Sequence, residues 1–535
     1  MDGFTPWPAD AEARYTAEGY WGDRLLGDVL DGRPDHIALV AGAERLTYAE
    51  LDRRADRTAA GFHRLGLRRG DRAVVQLPNS AGFVVTFLAL TRLGVVPALA
   101  LPAHRESEIR YLCEHTEARA YISADRDGSF DYRTLARSLP VSEVVIDGDA
   151  EEFTALGDLQ EDAGDLQQTA RPGPADVAVL LLSGGTTGRP KLIPRTHRDY
   201  LYNLQASADV CGLGPGTVYL AVLPVAHNYA LACPGILGAF ARGGTAVLSS
   251  AASPGAVFPL LARERATMSA LVPTIAFQWL EAAPHSSEDL SSLALVQIGG
   301  ARFPAENVAR MRAVLGCQVQ QVFGMAEGLL CFTRLDDPVD LVDETQGSPL
   351  SPADELRVVD ADGVDVAPGG IGELLTRGPY TLRGYYRAAE HNARSFTADG
   401  FYRTGDLVRV LPSGHVVVEG RKKDQINRGA EKVAAPEVEK HLLTHPAVLD
   451  AAVVGLPDPV TGERSCAVLT LRPTYADRAP TLRDIRNFLR DRGLASYKYP
   501  DQMEQVEILP RTAVGKVDKA QLTARFSETA SESVR

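Results

Sequence analysis

The chain has 535 residues, 45% hydrophobic and 23% charged, which is more than one hydrophobic core usually spans and so predicts two or more domains. Its 56 basic against 69 acidic side chains leave a net charge of −13, which argues against non-specific nucleic-acid binding. Cys113, Cys211, Cys233, Cys317, Cys331 and Cys466 are scattered with no CxxC or Cys/His cluster, so neither a zinc site nor a disulfide framework is expected and a reducing cytoplasm fits.

The polar, acidic start MDGFTPWPADAEARY lacks a charged-then-apolar signal pattern, so secretion is not expected. A strand, AVVQL at 73–77, is followed by the most apolar run of the chain, VVTFLALTRLGVVPALALP at 84–102. Arg92, Gly94 and Pro97 interrupt that run, which reads as a helix and then a buried strand rather than a membrane span, and the whole as a βαβ unit. A further strand, VAVLLL at 177–182, leads into SGGTTGRPK at 183–191. There Gly184, Gly185 and Gly188 let backbone N–H groups approach an anion closely, while Ser183, Thr186 and Thr187 add hydroxyl donors and Arg189 and Lys191 add positive charge. Gly188 and Pro190 discourage helix, so the stretch is expected to be a mobile loop that holds the phosphates of ATP; standing alone it also fits an ordinary polar turn. The chain has no GxxxxGK[ST], so it is not a P-loop NTPase.

Strand-like segments return at 244–248 and 294–298, each after a helical stretch, which predicts a large layered α/β region with substantial parallel sheet. From about 357 the texture changes to short alternating segments rich in glycine (LRVVD, GELLTRG, GFYRTGDLVRV, GHVVVEG), the pattern of a small β subdomain. After Gly420 comes a charged stretch and then a compact α+β tail with a helix near 482–492. The expected division is an N-terminal domain of residues 1–420 and a mobile C-terminal domain of residues 421–535, with a disordered SETASESVR end.

Four more segments accompany the phosphate loop: VFGMAEG at 322–328, YRTGDL at 402–407, GRKKDQINRG at 420–429 and PRTAVGKVDK at 510–519. In this order and spacing the chain resembles, over nearly its whole length, the adenylate-forming superfamily of acyl-CoA synthetases, adenylation domains and luciferases. The resemblance implies use of ATP and Mg²⁺: a carboxylate attacks the α-phosphate and pyrophosphate leaves, which requires two anions to be held together. It implies that Glu327 ligates Mg²⁺, that Asp406 accepts both ribose hydroxyls with Arg421 beside it, and that Gly299, Gly300, Ala301 and Arg302 line the adenine slot with Phe323. Gly324, Met325 and Ala326 belong to the same ATP-binding motif. Lys516 matches the family's C-terminal lysine, which bridges the substrate carboxylate and the α-phosphate, and Lys423 takes the place of the pivot about which the tail rotates between half-reactions.

The acid is read from PVAHNYALACPG at 224–235. Amino-acid-activating relatives carry an Asp at the position of Asn228 to pair with the α-ammonium, and a neutral residue removes that counter-ion. The segment resembles that of stand-alone aryl-acid adenylating enzymes, the 2,3-dihydroxybenzoate and salicylate ligases. This implies that Asn228 hydrogen-bonds an ortho substituent, that His227, also expected among the catalytic residues with Glu327 and Lys516, and Tyr229 form an aromatic wall, and that Cys233 and Leu330 touch the ring. The dihydroxybenzoate pattern has Ser and Val at those last two positions, so salicylate is favoured, with anthranilate-like and hydroxypicolinate-like acids open. The tail has no GG[DH]S-type attachment site, so no fused carrier domain is expected and the thiol acceptor is expected in trans, either the phosphopantetheine of an aryl carrier protein or coenzyme A. Arg483, Arg486, Arg490, Arg492 and Lys498 form a basic stretch on an acidic chain that suits an acidic carrier. No nucleic acid and no membrane are expected as partners. A nucleotide-binding regulatory protein without turnover is the reading of another class.

Overall fold

The computed structural model of the chain describes residues 1–160, 171–183, 190–422, 425–428, 431–458, 462–492, 494, 496–512 and 515–532. The chain divides into two compact units: the second comprises Leu356–Leu375 and Arg403–Arg535, and the first the described residues before Leu356 together with Thr376–Tyr402. The short glycine-rich strands after 357 thus group mostly with the C-terminal residues.

Two large sheets organise the first unit. In a nine-stranded sheet the spatial order is Ser348–Pro349, Leu330–Phe332, Gln318–Gly324, Leu295–Gly299, Met268–Leu271, Val218–Ala221, Thr245–Leu248, Ile37–Ala41 and Glu44–Thr47. The six strands from Gln318–Gly324 to Ile37–Ala41 are parallel, and antiparallel strands close both edges. A seven-stranded sheet runs Leu192–Thr196, Val177–Leu182, Val96–Leu99, Arg72–Gln76, Ala120–Ala124, Glu143–Asp147 and Thr154–Ala155. Only its Val177–Leu182 to Leu192–Thr196 pairing is antiparallel.

The strands expected at 73–77, 177–182, 244–248 and 294–298 all form, within a residue or so of those limits. The long apolar run becomes the helix Ala81–Leu93 followed by the strand Val96–Leu99. Eleven of that helix's thirteen residues are buried, which accounts for its hydropathy by burial between layers. Ser80 caps its start by accepting from the Phe83 N–H, and Gly94, with φ 75°, ends it in the left-handed conformation that costs glycine least. Among the described residues no helix is long and apolar enough to cross a membrane.

The second unit carries most of a four-stranded sheet (Glu355–Val359, Gly372–Arg377, Tyr402–Val410, Val416–Arg421) and a five-stranded sheet centred on Val448–Asp458 and Gly462–Leu471. Period-two alternation divides the central pair between two cores. Ala451, Val453, Ala467 and Leu469 pack with Val438, Leu442, Ile485 and Leu489 of helices Ala435–Leu442 and Leu482–Asp491. Their neighbours Ala452, Val454, Cys466 and Val468 pack with Leu522 and Phe526 of helix Lys519–Glu532.

Candidate active site

The phosphate-loop segment leaves the strand Val177–Leu182 and returns as the edge strand Leu192–Thr196 beside it. At its base the Ser183 N–H donates to the Lys191 carbonyl (2.9 Å) and the Lys191 N–H donates to Ser183 Oγ (3.1 Å), continuing the Leu182 to Leu192 register by one rung. Gly184, Gly185, Thr186, Thr187 and Gly188 lie outside the described residues, as does Lys423.

Three neighbourhoods expected to touch substrate follow the C-terminal ends of parallel strands in the nine-stranded sheet, the side of open α/β sheets where ligands bind. His227 and Asn228 come after Val218–Ala221, Gly300 to Arg302 after Leu295–Gly299, and Met325 to Glu327 after Gln318–Gly324. Close packing demands glycine at two of these positions. A Cβ on Gly299 would stand 3.0 Å from the Tyr229 ring, and one on Gly324 would stand 2.4 Å from Leu330 Cδ2. Gly299 therefore admits Tyr229 beneath the strand end, and Gly324 admits the Leu330 side chain opposite it in register. Gly300 and Ala301 are exposed and Phe323 is half-buried, while Arg302 pairs with Glu344 at 4.0 Å.

His227 caps the short helix Asn228–Ala232, its Nδ1 accepting from the Tyr229 N–H at 3.3 Å. Asn228 is buried, and both ends of its amide are engaged. Its Oδ1 accepts from the Tyr200 hydroxyl at 2.7 Å and its Nδ2 donates to Cys233 Sγ at 3.3 Å. Cys233 and Asn228 were expected as separate ring contacts, yet here each orients the other. Burial pushes the Cys233 thiol up to about 12, so it stays a neutral, weak partner. Behind Tyr200 lies a pair that no motif flagged: Arg195 and Asp199, both fully buried, with Nε 2.6 Å from Oδ1. Arg195 also covers the Tyr200 ring, 4.8 Å from its centroid, and donates to the Ala326 carbonyl at 3.2 Å. The T-x-x-D spacing from Thr196 to Asp199, a capping box, was the only local trace of it.

Glu327 is half-buried, and its Oε1 accepts from the Tyr385 hydroxyl at 2.8 Å. Leu330 is fixed through its backbone: its N–H donates to the Tyr380 oxygen at 3.2 Å and its carbonyl accepts from the Leu350 N–H at 2.8 Å. Tyr380 in turn donates to Asp354 Oδ2 at 2.6 Å. Tyr380, Asp354 and Tyr385 were missed because these contacts join residues far apart in sequence.

In the second unit Asp406 and Arg421 face each other across an antiparallel pair, Arg421 Nε 2.7 Å from Asp406 Oδ1. The Asp406 N–H donates to Thr404 Oγ1 at 3.0 Å, and Thr404 donates to the Leu374 carbonyl at 2.9 Å. Lys516 is exposed on a tight turn in which its carbonyl accepts from the Thr512 N–H at 2.7 Å and Arg511 bridges to Val517. An Arg511 to Asp450 ion pair ties that turn to the strand Val448–Asp458.

The family of AMP-binding enzymes matches residues 28–386, and the C-terminal domain of AMP-binding enzymes matches residues 437–516. The chain is 54% identical to a 2,3-dihydroxybenzoate-AMP ligase of Bacillus subtilis, over 99% of this chain and 98% of that one. It is 46% identical to a salicyl-AMP ligase / salicyl-S-ArCP synthetase of Mycobacterium tuberculosis, over 97% and 94%. Among solved structures it resembles apo MbtA of Mycobacterium smegmatis, with a TM-score of 0.76 and 47% identity over 98% and 99% of the two chains. With the adenylate-forming motifs standing at the strand ends, the chain belongs to the AMP-binding enzymes. Within that family it stands with the aryl-acid AMP ligases, about half identical to them from end to end.

Asp354 supplies a measurable signature of the support under Leu330. Burial pushes its carboxyl up to about 7, against the smaller downward pull of the Tyr380 hydroxyl and the Ser351 N–H. Between roughly pH 4 and pH 7 the folded chain therefore holds a proton that the unfolded chain releases, so this contribution to stability is complete below pH 4 and is lost as pH rises through about 7. Asp354→Asn is expected to flatten that part of the profile, read as the variant-minus-parent difference in thermal unfolding midpoint at pH 5 and pH 8.

Proposed function

We propose that the chain converts an ortho-substituted aryl acid, best matched by salicylate, to its aryl-adenylate and passes the acyl group to the phosphopantetheine thiol of a separate aryl carrier protein. The product feeds siderophore or aryl-capped peptide assembly. The observation that carries this reading is the buried, neutral Asn228 amide held between Tyr200 and Cys233, which offers hydrogen bonds to a ring substituent and no counter-ion for an α-ammonium. The relatives named for dihydroxybenzoate and salicylate support an aryl acid. Salicylate is favoured because the Cys233 thiol is a poorer hydrogen-bond partner than a Ser hydroxyl and Leu330 fills space that Val would leave. A second ring hydroxyl buried there lacks a good partner, at a cost of roughly 1–3 kcal/mol.

In the first half-reaction a carboxylate oxygen of the acid bonds to the α-phosphorus of ATP, and the bond to the bridging oxygen breaks, releasing pyrophosphate. Ser183 and Lys191, with the glycines and threonines between them, hold the phosphates. Glu327 suits magnesium, which typically takes one or two carboxylates and completes its shell with phosphate oxygens and water. When bound, that ion neutralises charge developing on the phosphates. Arg421 orients the Asp406 carboxylate toward the ribose hydroxyls. Gly299 to Arg302 and Phe323 border the adenine, while His227 and Tyr229 border the acid. Lys516 bridges the acid and the α-phosphate when residues 421–535 close over the site. The tail then pivots at Lys423, and the thiol sulfur attacks the acyl carbon and expels AMP.

Aryl-acid-dependent ATP–pyrophosphate exchange over ring-substituted benzoates tests the acid directly, with salicylate expected to give the highest kcat/KM. Cys233→Ser combined with Leu330→Val is expected to raise use of 2,3-dihydroxybenzoate relative to salicylate by about tenfold or more. An unmoved ratio would place these side chains away from the ring. Lys516→Ala is expected to abolish adenylate formation while thioester formation from supplied aryl-adenylate continues; equal loss in both steps contradicts that division.

The carrier surface needs a revised choice of residues. Arg486 spends its guanidinium on the carbonyls of Pro500 and Asp501, and Lys498 pairs with Glu437 at 2.6 Å. Arg490 bonds Asp491 and Asn487, whereas Arg483 on helix Leu482–Asp491 and Arg492 at its end are exposed. Reversing Arg483 and Arg492 to Glu is expected to slow acyl transfer to the carrier several-fold without changing pyrophosphate exchange, the effect shrinking as salt rises. Faster transfer to coenzyme A than to any carrier at equal concentration would replace this acceptor with coenzyme A.

A further inference from the structure

The segment Leu382–Tyr386 spans two motifs that lie far from it and from each other in sequence. At one end the Leu382 N–H donates to the Glu327 carbonyl at 2.8 Å, and at the other the Tyr386 N–H donates to the Leu192 carbonyl at 2.9 Å, next to Lys191. Between these anchors Tyr385 is almost wholly buried. Its backbone is gripped on both sides by Asn392, whose Oδ1 accepts from the Tyr385 N–H and whose Nδ2 donates to the Tyr385 carbonyl, each at 2.9 Å. Its ring packs against His391 at 5.1 Å between centroids and against the edge of Tyr402 at 6.2 Å. This much fixation presents two features: the hydroxyl, 2.8 Å from Glu327 Oε1, and a ring face with the Lys191 ammonium 5.9 Å from its centroid.

The proton count on the hydroxyls has one solution. A carboxylate only accepts, so Tyr385 gives Glu327 its single proton, and the Tyr402 hydroxyl, also 2.8 Å away, must then donate to the Tyr385 oxygen.

We propose that Tyr385 is a positioning residue for the metal and phosphate centre: its hydroxyl, backed by Tyr402, aims the Glu327 carboxylate at magnesium, and its ring face holds the Lys191 ammonium toward the ATP phosphates. The proposal rests on the reading of Glu327 as the magnesium carboxylate. Partners of this kind fix the orientation of a ligating group, and their removal typically weakens metal binding about 10- to 100-fold. Tyr385 joins the metal loop to the phosphate loop through one rigid side chain, so the two elements that must grip the same triphosphate keep one spacing.

The test is calorimetric binding of ATP to the full-length protein with and without Mg²⁺, for the parent, Tyr385→Phe, Tyr385→Leu and Tyr402→Phe. Tyr385→Phe keeps the ring and loses the hydroxyl. It is expected to reduce the Mg²⁺-dependent gain in ATP affinity about tenfold while leaving metal-free ATP binding and aryl-acid binding unchanged. Tyr402→Phe is expected to act in the same direction and less. Tyr385→Leu is expected to weaken metal-free ATP binding as well, because the face under Lys191 is gone. Thioester formation from supplied aryl-adenylate, which needs no metal-bound triphosphate, is expected to survive in all three. An unchanged Mg²⁺ increment in Tyr385→Phe overturns the proposal, as does parallel loss of aryl-acid binding and thioester formation, which marks a purely structural role. If the parent itself shows no Mg²⁺ increment, or Glu327→Gln leaves it intact, the reading of Glu327 fails and the role of Tyr385 falls with it.

Discussion

A buried ion pair between Arg195 and Asp199 carries the geometry of the first unit's site. Two charges out of water are tolerated when each is paired and further hydrogen-bonded, and the surroundings supply most of this, Arg195 Nη2 alone of the guanidinium nitrogens being buried without a hydrogen-bond partner among the described residues. Asp199 Oδ2 accepts from both the N–H and the hydroxyl of Thr196 at 2.6 Å, while Arg195 reaches the Ala326 carbonyl and lies over the Tyr200 ring. Through these bonds one guanidinium ties together the strand that returns from the phosphate loop, the loop that carries Glu327, and the tyrosine that orients Asn228. Removing one partner from such a pair typically costs about 3–5 kcal/mol, because the other charge is left buried and unpaired. The arrangement is therefore held all-or-none.

Around that pair, buried polar side chains set direction while apolar ones set volume. Tyr200, Asn228 and Cys233 form a chain of neutral hydrogen bonds, so the proposed acid-binding region presents dipoles where a charged group would need a counter-ion. Leu330 limits space, and its position is set by its own backbone hydrogen bonds to Tyr380 and Leu350. On the proposed role of Leu330, specificity for a ring substituent would thus depend on residues that never reach the ring, Tyr380 and Asp354, which hold its backbone.

The proposed chemistry is divided between the two units. Of the residues to which the proposed reaction assigns roles, Glu327, Lys191 and Asn228 belong to the first, and Asp406, Arg421 and Lys516 to the second. Within each unit the supports are local and rigid: the Arg421 to Asp406 pair across two strands in one, and in the other the Tyr385 bridge. A two-step reaction gains from this division, because a lysine on a separate body can serve adenylation without obstructing the thiol in the second step.

Motif order and periodicity were enough to place the chain among adenylate-forming enzymes and to locate several strands, for a physical reason. A phosphate loop, a capping glycine and an apolar strand are each specified by a few contiguous residues. The burial of helix Ala81–Leu93 and the strands at 177–182 and 294–298 were legible on those grounds. Resemblance to the aryl-acid adenylating enzymes also named Asn228, Cys233 and Leu330. The sequence did not reveal that Asn228 and Cys233 bond to each other, that Arg486 and Lys498 are consumed by local contacts, or that Tyr385, 58 residues from Glu327, closes onto it. Those facts depend on which strand ends become neighbours once the sheet is assembled, and no local run of residues encodes that adjacency. Residue chemistry is written in the chain, whereas the partner of a buried donor is decided only when packing excludes water and leaves one acceptor within reach.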